Sequence, residues 1–348
     1  MSMIETRYDM KKTKPKKAFW KWFFICLFIL LSLILAYGAY VFIKVSGALD
    51  QSTVQLDRED NKSQLRDQAV TFSNDPVSIL LMGIEDYSTN GKDGRADTLI
   101  LTTLDPKTDE IHMVTIPRDT RIQLDNAGEF SGIRKINSAY TYGSITGYGD
   151  VKLQLESVEK LLNVPIDYYV AMNFNGFRDI VDALGGVTID IEEPFWENNF
   201  YNNEIIEFEQ GKQRLSGEEA LAFVRMRNRP IAASYTREER QGQFLKATID
   251  QAISAGTLFK VGKITDVLGE NIQANLSANE ILALQKKYTE SDGFSIQFLE
   301  IEGEDKRIDK SIYFVPEEDS LKAVSDELRQ LLDLNTSSVF TTNADYGR

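Results

Sequence analysis

The chain has 348 residues, 42 % of them hydrophobic and 26 % charged, which is a globular composition sufficient for one large domain or two small ones. A formal net charge of −14 excludes bulk nucleic-acid binding, because a surface that tracks phosphates needs an excess of Lys and Arg. The single cysteine, Cys26, lies in an apolar run, so the rest of the chain carries no disulfide, which fits a bacterial surface better than an animal secretory pathway.

Residues 1–21 are basic, with Arg7, Lys11, Lys12, Lys14, Lys16, Lys17 and Lys21 against Glu5 and Asp9. Trp22 to Ile43, "WFFICLFILLSLILAYGAYVFI", follows without a charge. At helical rise roughly 20 such residues cross the hydrocarbon core. A cleaved signal peptide is the competing reading, but its apolar region is typically about 7–15 residues and closes in an A-x-A-like site that is missing here. The expectation is a retained span over 22–43 with its lysine-rich end in the cytoplasm and everything beyond Lys44 outside. Residues 44–75 are polar and read as a stalk.

Pro76 opens the folded part. "VSILLMGIED" (Val77 to Asp86), "TLILTTL" (Thr98 to Leu104) and "IHMVTI" (Ile111 to Ile116) are apolar runs of strand length, the last two separated by the turn residues "DPKTDE". Such continuous runs suit a sheet covered on both faces. Apolar spacing predicts a helix over Gly149 to Asn163 with Asp150 as its cap. "IDYYVAMNF" and "VTIDI" read as strands, "NGFRDIVDALGG" as a short helix ended by Gly185 and Gly186, and Ser216 to Arg227 as a helix with a Ser-x-x-Glu capping box. "TREERQGQFLKATIDQAISA" and "ANEILALQKKY" supply two more helices, and residues 336–348 read as a frayed tail. Strands alternating with helices predict an α/β fold of α/β/α layers. The single histidine, His112, falls within a strand and has no partners for a triad or a metal cluster, so it reads as structural.

Charge gathers at four places. Glu85 and Asp86 close the first strand; Arg95 and Asp97 precede the second; Arg118, Asp119 and Arg121 follow the third, with Lys135 further on; Arg225, Arg227, Arg237, Arg240 and Gln241 lie on the helix pair. In layered α/β domains ligands bind in crevices outside strand ends. Arginines sharing one crevice repel unless an anion joins them, and guanidinium forks suit phosphate. Carboxylates beside them make sense if Mg2+ bridges carboxylate and phosphate oxygens. Surface ion pairs of little energetic worth are the competing reading of each residue alone. The cluster "PRDTR" therefore fits either a loop stapled by salt bridges or an anion clamp.

The ordered set "LLMGIED", "GRADTLILTTLDPKTDEIHMVTIPRDTRI", "KINSAYTYG", "IDYYVAMNFNGFRDIVDALGGVTIDI", "LSGEEALAFVRMR" and "TREERQGQFLKA" resembles the LytR-CpsA-Psr (LCP) family over Val77 to Ala255. The resemblance implies an LCP-like α/β/α sandwich outside the membrane over 76–335, behind one N-terminal transmembrane helix. It implies a phosphotransferase that moves an anionic glycopolymer, of wall teichoic acid or capsule type, from a polyprenyl-pyrophosphate carrier to peptidoglycan at the cell membrane. The cofactor expected from it is Mg2+, or Mn2+ in its place. Asp97 would be a metal ligand, with Glu85, where the family usually has Asp, or Asp86 beside it. Arg95, Arg118, Arg225, Arg237 and Gln241 match the pyrophosphate-binding set; Arg121, Lys135, Arg227 and Arg240 are further expected contributors. Arg118, Asp119 and Asp97 are the expected catalytic residues, Asp119 as a candidate to take the acceptor's proton. The family often has Gly where Thr236 stands, and "NRPIAASY" carries no acidic residue where relatives often place one near a candidate base. Phe174, Phe177, Ile180 and Phe223 are candidate walls of a lipid tunnel, with plain core as the commoner role for such residues. A tethered module that binds the lipid carrier without catalysis, and a pyrophosphatase using water as acceptor, are the alternatives.

Overall fold

A computed structural model describes residues 58, 62–71, 74–89, 91–226, 237–253, 271–276, 280, 295–336 and 339–347. Met1–Lys44 forms a unit separate from Val45–Arg348, and every described residue belongs to the second. The expected span over 22–43, the basic tail before it and the helix expected over Ala278 to Tyr288, apart from Glu280, lie outside the described residues. Among the described residues no helix is long and apolar enough to cross a membrane.

In chain order the elements are β1 (Val77–Glu85), β2 (Arg95–Asp105), β3 (Glu110–Thr115), β4 (Arg121–Leu124), β5 (Gly132–Lys135), α1 (Ser138–Thr146), α2 (Asp150–Leu162), β6 (Tyr168–Asn173), α3 (Phe174–Ala183), β7 (Val187–Ile191), β8 (Phe195–Asn198), β9 (Ile205–Phe208), β10 (Gly211–Leu215), α4 (Gly217–Arg225), α5 (Arg237–Ile253), β11 (Ile272–Ala274), β12 (Ser295–Leu299), β13 (Gly303–Ile308), β14 (Ser311–Pro316) and α6 (Glu318–Leu331). The main sheet has the order β11-β6-β1-β2-β3-β12. It is mixed: β1 pairs antiparallel with β2 and β2 with β3, while β1–β6 and β3–β12 are parallel.

Both faces of this sheet are covered, as the unbroken apolar runs require. Successive side chains of a strand point to opposite faces. Leu80, Met82, Leu99, Leu101 and Val114 therefore meet Ala139 of α1, Val158 of α2 and Leu328 of α6 in one cluster. Val77, Ile100, Ile111 and Met113 enter a second cluster that Leu245 of α5 packs against. A third cluster joins the β7–β10 ribbon to Phe223 of α4, Phe244 of α5 and the β8–β9 hairpin. Helices thus lie against both sides of a mixed sheet.

Local signals explain the helix ends. In α4 the capping box forms in full: Ser216 Oγ accepts from Glu219 N, and Glu219 Oε2 accepts from Ser216 N at 2.7 Å. That helix stops at Arg225, short of the expected Arg227, because Met226 turns to ψ 132°. The cap of α2 is Gly149 and not Asp150; Gly149 sits at φ +111°, where a side chain is strained. A Cβ on Gly143 of α1 would lie 2.3 Å from Gly149 O, so the two helices meet through bare backbone.

Two segments differ from expectation. The end of the expected stalk is docked on the fold: Arg66 is buried, with Nη2 2.7 Å from Asp167 Oδ2 and 3.0 Å from Pro76 O. The expected frayed tail is a strap. Gln123 N donates to Asn343 O at 2.8 Å, Asp345 N donates to Arg121 O at 3.0 Å, and Ile122 bridges antiparallel to Ala344. The polar groups on that edge of β4 need partners, and the last residues of the chain supply them. Burial alone would raise the Asp345 carboxyl, but hydrogen bonds from Arg121 and Gly347 N outweigh it and hold that carboxyl below the usual range.

Candidate active site

The strand directions decide which charges meet. With β2 antiparallel to both neighbours, β1 and β3 run the same way, so the end of β1, the start of β2 and the residues after β3 share one sheet edge. Glu85, Asp97 and Arg118 converge there. Asp97 is aimed by a β-bulge: Gly83 pairs with Thr98 and Ile84 with Ala96, which leaves Asp97 without a partner in the register. Such a bulge re-aims a side chain out of the ladder's alternation.

Asp97 and Arg118 form an ion pair through Oδ2 and Nη1, and Asp97 Oδ1 accepts from Asn137 Nδ2 at 2.9 Å. Behind them, Asp119 Oδ1 is 2.8 Å from Lys135 Nζ, while Asp119 Oδ2 is 3.7 Å from Arg118 Nε. Arg225, the last residue of α4, lies over two rings, 4.3 Å from the centroid of Phe200 and 4.8 Å from that of Phe174. Phe174 follows directly on Asn173, which is level with Ile84 of β1, so this guanidinium stands at the same edge.

These groups border a cavity of about 430 Å3. Glu85, Asp97, Arg118 and Arg225 supply its charged lining, with Gln241, Asn173 and Thr98 as polar neighbours. The remaining walls are largely apolar: Leu81 and Ile100 from the sheet, Phe177, Ile180 and Val181 from α3, Leu221 and Val224 from α4, Phe244, Leu245 and Thr248 from α5. Along β1 and β2 the charged residues come at the strand ends and the apolar ones deeper in the sheet. The chamber is greasy inside and carries both signs of charge at one end.

Residues 39–330 match the LytR_cpsA_psr family model. The chain belongs to the LytR-CpsA-Psr family. It is 40 % identical to the polyisoprenyl-teichoic acid–peptidoglycan teichoic acid transferase TagV of Bacillus subtilis, over 87 % of this chain and 76 % of that protein. It is 36 % identical to the TagU of the same description from Halalkalibacterium halodurans, over 87 % of this chain and 94 % of the relative. The crystal structure of B. subtilis TagV superposes with a TM-score of 0.64, covering 75 % of this chain and 99 % of that one. The family protein YwtF (TagT) with bound octaprenyl pyrophosphate lipid superposes with a TM-score of 0.62 at 26 % identity, covering 81 % of this chain and 100 % of that one.

Not all of the charged residues singled out in this LytR-CpsA-Psr sequence reach the cavity. Arg95 is exposed and stands opposite Glu85 in the register. Asp86 points to the other face of β1, as alternation requires. There it accepts from Asn173 Nδ2 at 3.3 Å and borders a second, polar cavity of about 420 Å3 with Tyr140 and Asp150. Burial, with Asp150 beside it, pushes the Tyr140 phenol far up, so that group stays protonated. Arg121 and Lys135 are directly opposite each other on the β4–β5 hairpin. Like charges so placed repel. They are offset by Asp345 and Asp119 and by the Tyr313 ring, whose centroid is 5.0 Å from Arg121 Cζ and 5.8 Å from Lys135 Nζ. Arg227 and the side chain of Arg237 lie outside the described residues.

Arg240 is fully buried. Its Nε donates to Phe223 O at 3.2 Å and its Nη2 to Met226 O, at the C-terminal end of α4. The guanidinium there satisfies carbonyls that the helix leaves unpaired and complements its dipole. Arg240→Ala is expected to lower the unfolding free energy by about 2–4 kcal/mol, since buried carbonyls lose a charged donor; urea denaturation measures this. A variant as stable as the parent would remove that role.

Phe177, Ile180 and Phe174 line the cavity as expected, but Phe223 does not. It is fully buried, 5.9 Å from both Phe195 and Phe208. Sequence reasoning missed Leu221, Val224, Phe244 and Thr248, whose helical spacing reads only as core. It also missed Asn137, which precedes a helix and reads as an ordinary cap. Among the described residues no group of three or more His, Cys, Asp or Glu comes together as a metal cluster. Glu85 and Asp97 both line the cavity. Two carboxylates suit Mg2+, which usually completes its shell with water and phosphate oxygens.

Proposed function

We propose that this chain is a phosphotransferase that attaches an anionic glycopolymer, of wall teichoic acid or capsule type, to peptidoglycan. The donor is carried on polyprenyl pyrophosphate, and polyprenyl phosphate is released. The observation that carries this reading is an apolar cavity of about 430 Å3 ending in Arg118, Arg225, Asp97 and Glu85. The isoprenoid fills the apolar part and the pyrophosphate meets the two guanidiniums. The naming of the relatives as teichoic acid transferases, and the octaprenyl pyrophosphate held by YwtF, support it.

A peptidoglycan hydroxyl attacks the phosphorus next to the glycopolymer. The new P–O bond forms as the bond to the bridging pyrophosphate oxygen breaks, and that oxygen leaves with polyprenyl phosphate. Charge spreads over the equatorial phosphoryl oxygens, so catalysis is mainly placement and electrostatic stabilisation. Arg118 turns one prong from Asp97 to phosphate, and Arg225 is held in place by Phe174 and Phe200. Glu85 and Asp97 would hold Mg2+, or Mn2+ in its place, and the bound ion would neutralise phosphate charge. Asp119, beside Arg118 and paired with Lys135, is the carboxylate that takes the hydroxyl proton in this reading. The span expected over 22–43 makes the chain a single-pass membrane protein with the folded part outside, beside a donor that stays in the bilayer.

The test is a single-turnover assay with a lipid-linked teichoic acid precursor, with and without peptidoglycan. Release of polyprenyl phosphate that depends on peptidoglycan is the expected result. Equal release in water alone makes the protein a pyrophosphatase, and no release makes it a binding module.

A further inference from the structure

Asp86, which alternation turns away from the catalytic chamber, borders the second cavity, of about 420 Å3, on the other face of the sheet. The walls of that cavity come from the ends of β1 and β6, the start of β11, and the helices α1 and α2. The two cavities adjoin, because Met172 and Asn173 line both. Asn173 Oδ1 caps α3 by accepting from Gly176 N at 2.9 Å, while its Nδ2 lies 3.3 Å from Asp86 Oδ2 and from Asn271 Oδ1. The loop from β1 to β2 forms one wall and is fixed to its neighbours. Ser144 Oγ donates to Asp93 Oδ1 and Thr141 Oγ1 to Gly94 O, both at 2.7 Å, and a Cβ on Gly94 would lie 2.8 Å from Ile84 Cγ2. Walls held in this way suit a binding site.

The lining selects the ligand. Ser144, Asn173, Asn271 and Gln273 bring groups that both donate and accept, which the hydroxyl and acetamido groups of a sugar answer. The charge is the reverse of an anion site: Asp86, Asp93 and Asp150 stand against Lys92. An anionic polymer is repelled by that balance and drawn to Arg118 and Arg225 in the neighbouring chamber. Among the described residues these carboxylates do not come together as a metal cluster. Tyr87 supplies a separate element. It follows Asp86 directly, is 62 % exposed, and meets Phe200 edge-on at 4.9 Å; Phe200 is one of the two rings beneath Arg225. An exposed ring between the polar cavity and the catalytic guanidinium is placed to cover the apolar face of a pyranose.

We propose that this polar cavity is the acceptor subsite: it seats a sugar of the neutral, N-acetylated glycan strand of peptidoglycan, with the Tyr87 ring stacked on the next sugar. This deepens the phosphotransferase reading and rests on it. The strand crosses the end of β1 and brings a hydroxyl from the face of Asp86 toward the phosphorus on the face of Glu85. Charge thus sorts the two substrates to the two faces of one sheet edge, the anionic donor to the arginines and the neutral acceptor to the acids and amides.

Calorimetry on the full chain is the test, with a neutral β-linked tetramer of N-acetylglucosamine as the probe. The parent is expected to bind it, and inorganic pyrophosphate should not displace it. Ser144→Phe puts an apolar ring into the cavity and should weaken tetramer binding about ten-fold, the loss of more than one hydrogen bond. Tyr87→Ala removes an exposed ring and should weaken it about three- to ten-fold. Gln273→Ala, at an exposed position of β11, repeats the test with no risk to the core and should weaken binding about three-fold. In transfer assays the three variants should raise KM for a peptidoglycan fragment by similar factors, with affinity for geranyl pyrophosphate at the parent value. A parent that does not bind the tetramer, a tetramer displaced by pyrophosphate, or Tyr87→Ala and Gln273→Ala proteins that bind it as the parent does would each overturn the proposal. Tetramer binding by a parent that transfers no glycopolymer would sink the functional reading and leave the sugar site standing.

Discussion

Arg118→Ala is expected to slow glycopolymer transfer by about ten- to a hundred-fold, the loss of a charge-assisted contact worth about 1.5–3 kcal/mol, in a protein that remains folded. The residue lies three positions beyond the end of β3, lines the cavity and faces Asp97. The side chains of Arg118 and Asp97 are 29 % and 19 % exposed, so the pair stands at the mouth of the cavity and outside the hydrophobic clusters of the fold. The choice raised by "PRDTR" was between a staple and a clamp, and the geometry contains parts of both. Asp119 with Lys135 is the staple, tying the loop to β5; Arg118 faces the chamber. Arg118→Lys keeps the charge but loses the planar fork, so it should also transfer slowly. Asp119→Asn should lower the melting temperature by loosening Lys135 and slow the proton transfer assigned to Asp119. Thermal melts and transfer rates on the three variants read both effects. A folded Arg118→Ala protein that transfers at the parent rate would falsify the clamp.

Thr248→Trp is expected to abolish transfer from long-chain polyprenyl donors while leaving affinity for inorganic pyrophosphate near that of the parent. Thr248 lies on α5, on the apolar wall of the cavity, and its hydroxyl donates only to Phe244 O of its own helix, at 2.8 Å. Thr248 lies about two helical turns along α5 from Gln241, so a tryptophan ring placed there fills space in the apolar part of a chamber of about 430 Å3. Each isoprenoid carbon kept out forfeits burial, about 0.8 kcal/mol per CH2 equivalent. A donor with a short prenyl chain should therefore lose less than one with a long chain. Calorimetry with pyrophosphate, geranyl pyrophosphate and a longer prenyl pyrophosphate separates the two parts of the site. Long-chain binding equal to the parent's would show that the isoprenoid lies elsewhere.

The parts of the fold legible in the chain are those set by neighbours in sequence. The strand Val187–Ile191 is one that "VTIDI" announces, and Ser216 with Glu219 forms the capping box its spacing predicts. The strap at 339–347 was illegible because its residues are polar and short of periodicity; an open edge on β4 orders them. Arg66 was equally hidden, since only contact with Asp167 distinguishes it from its polar surroundings.

The candidate site divides in the same way. Sequence by itself determined that arginines and carboxylates cluster beside strand ends, because residue type and the end of an apolar run are local properties. Only the tertiary structure decided which of them share a chamber. An antiparallel β2 between β1 and β3 brings Glu85 and Arg118 to one edge, and a single extra residue in the ladder turns Asp97 toward them. Glu85 and Asp86 are adjacent acids, yet strand alternation sends them to opposite faces of the sheet. Arg118 and Arg240 have the same chemistry and similarly charged neighbours in sequence. One opens into the cavity and the other is buried on the carbonyls of α4, because burial and direction are set by what packs against a residue from elsewhere in the chain.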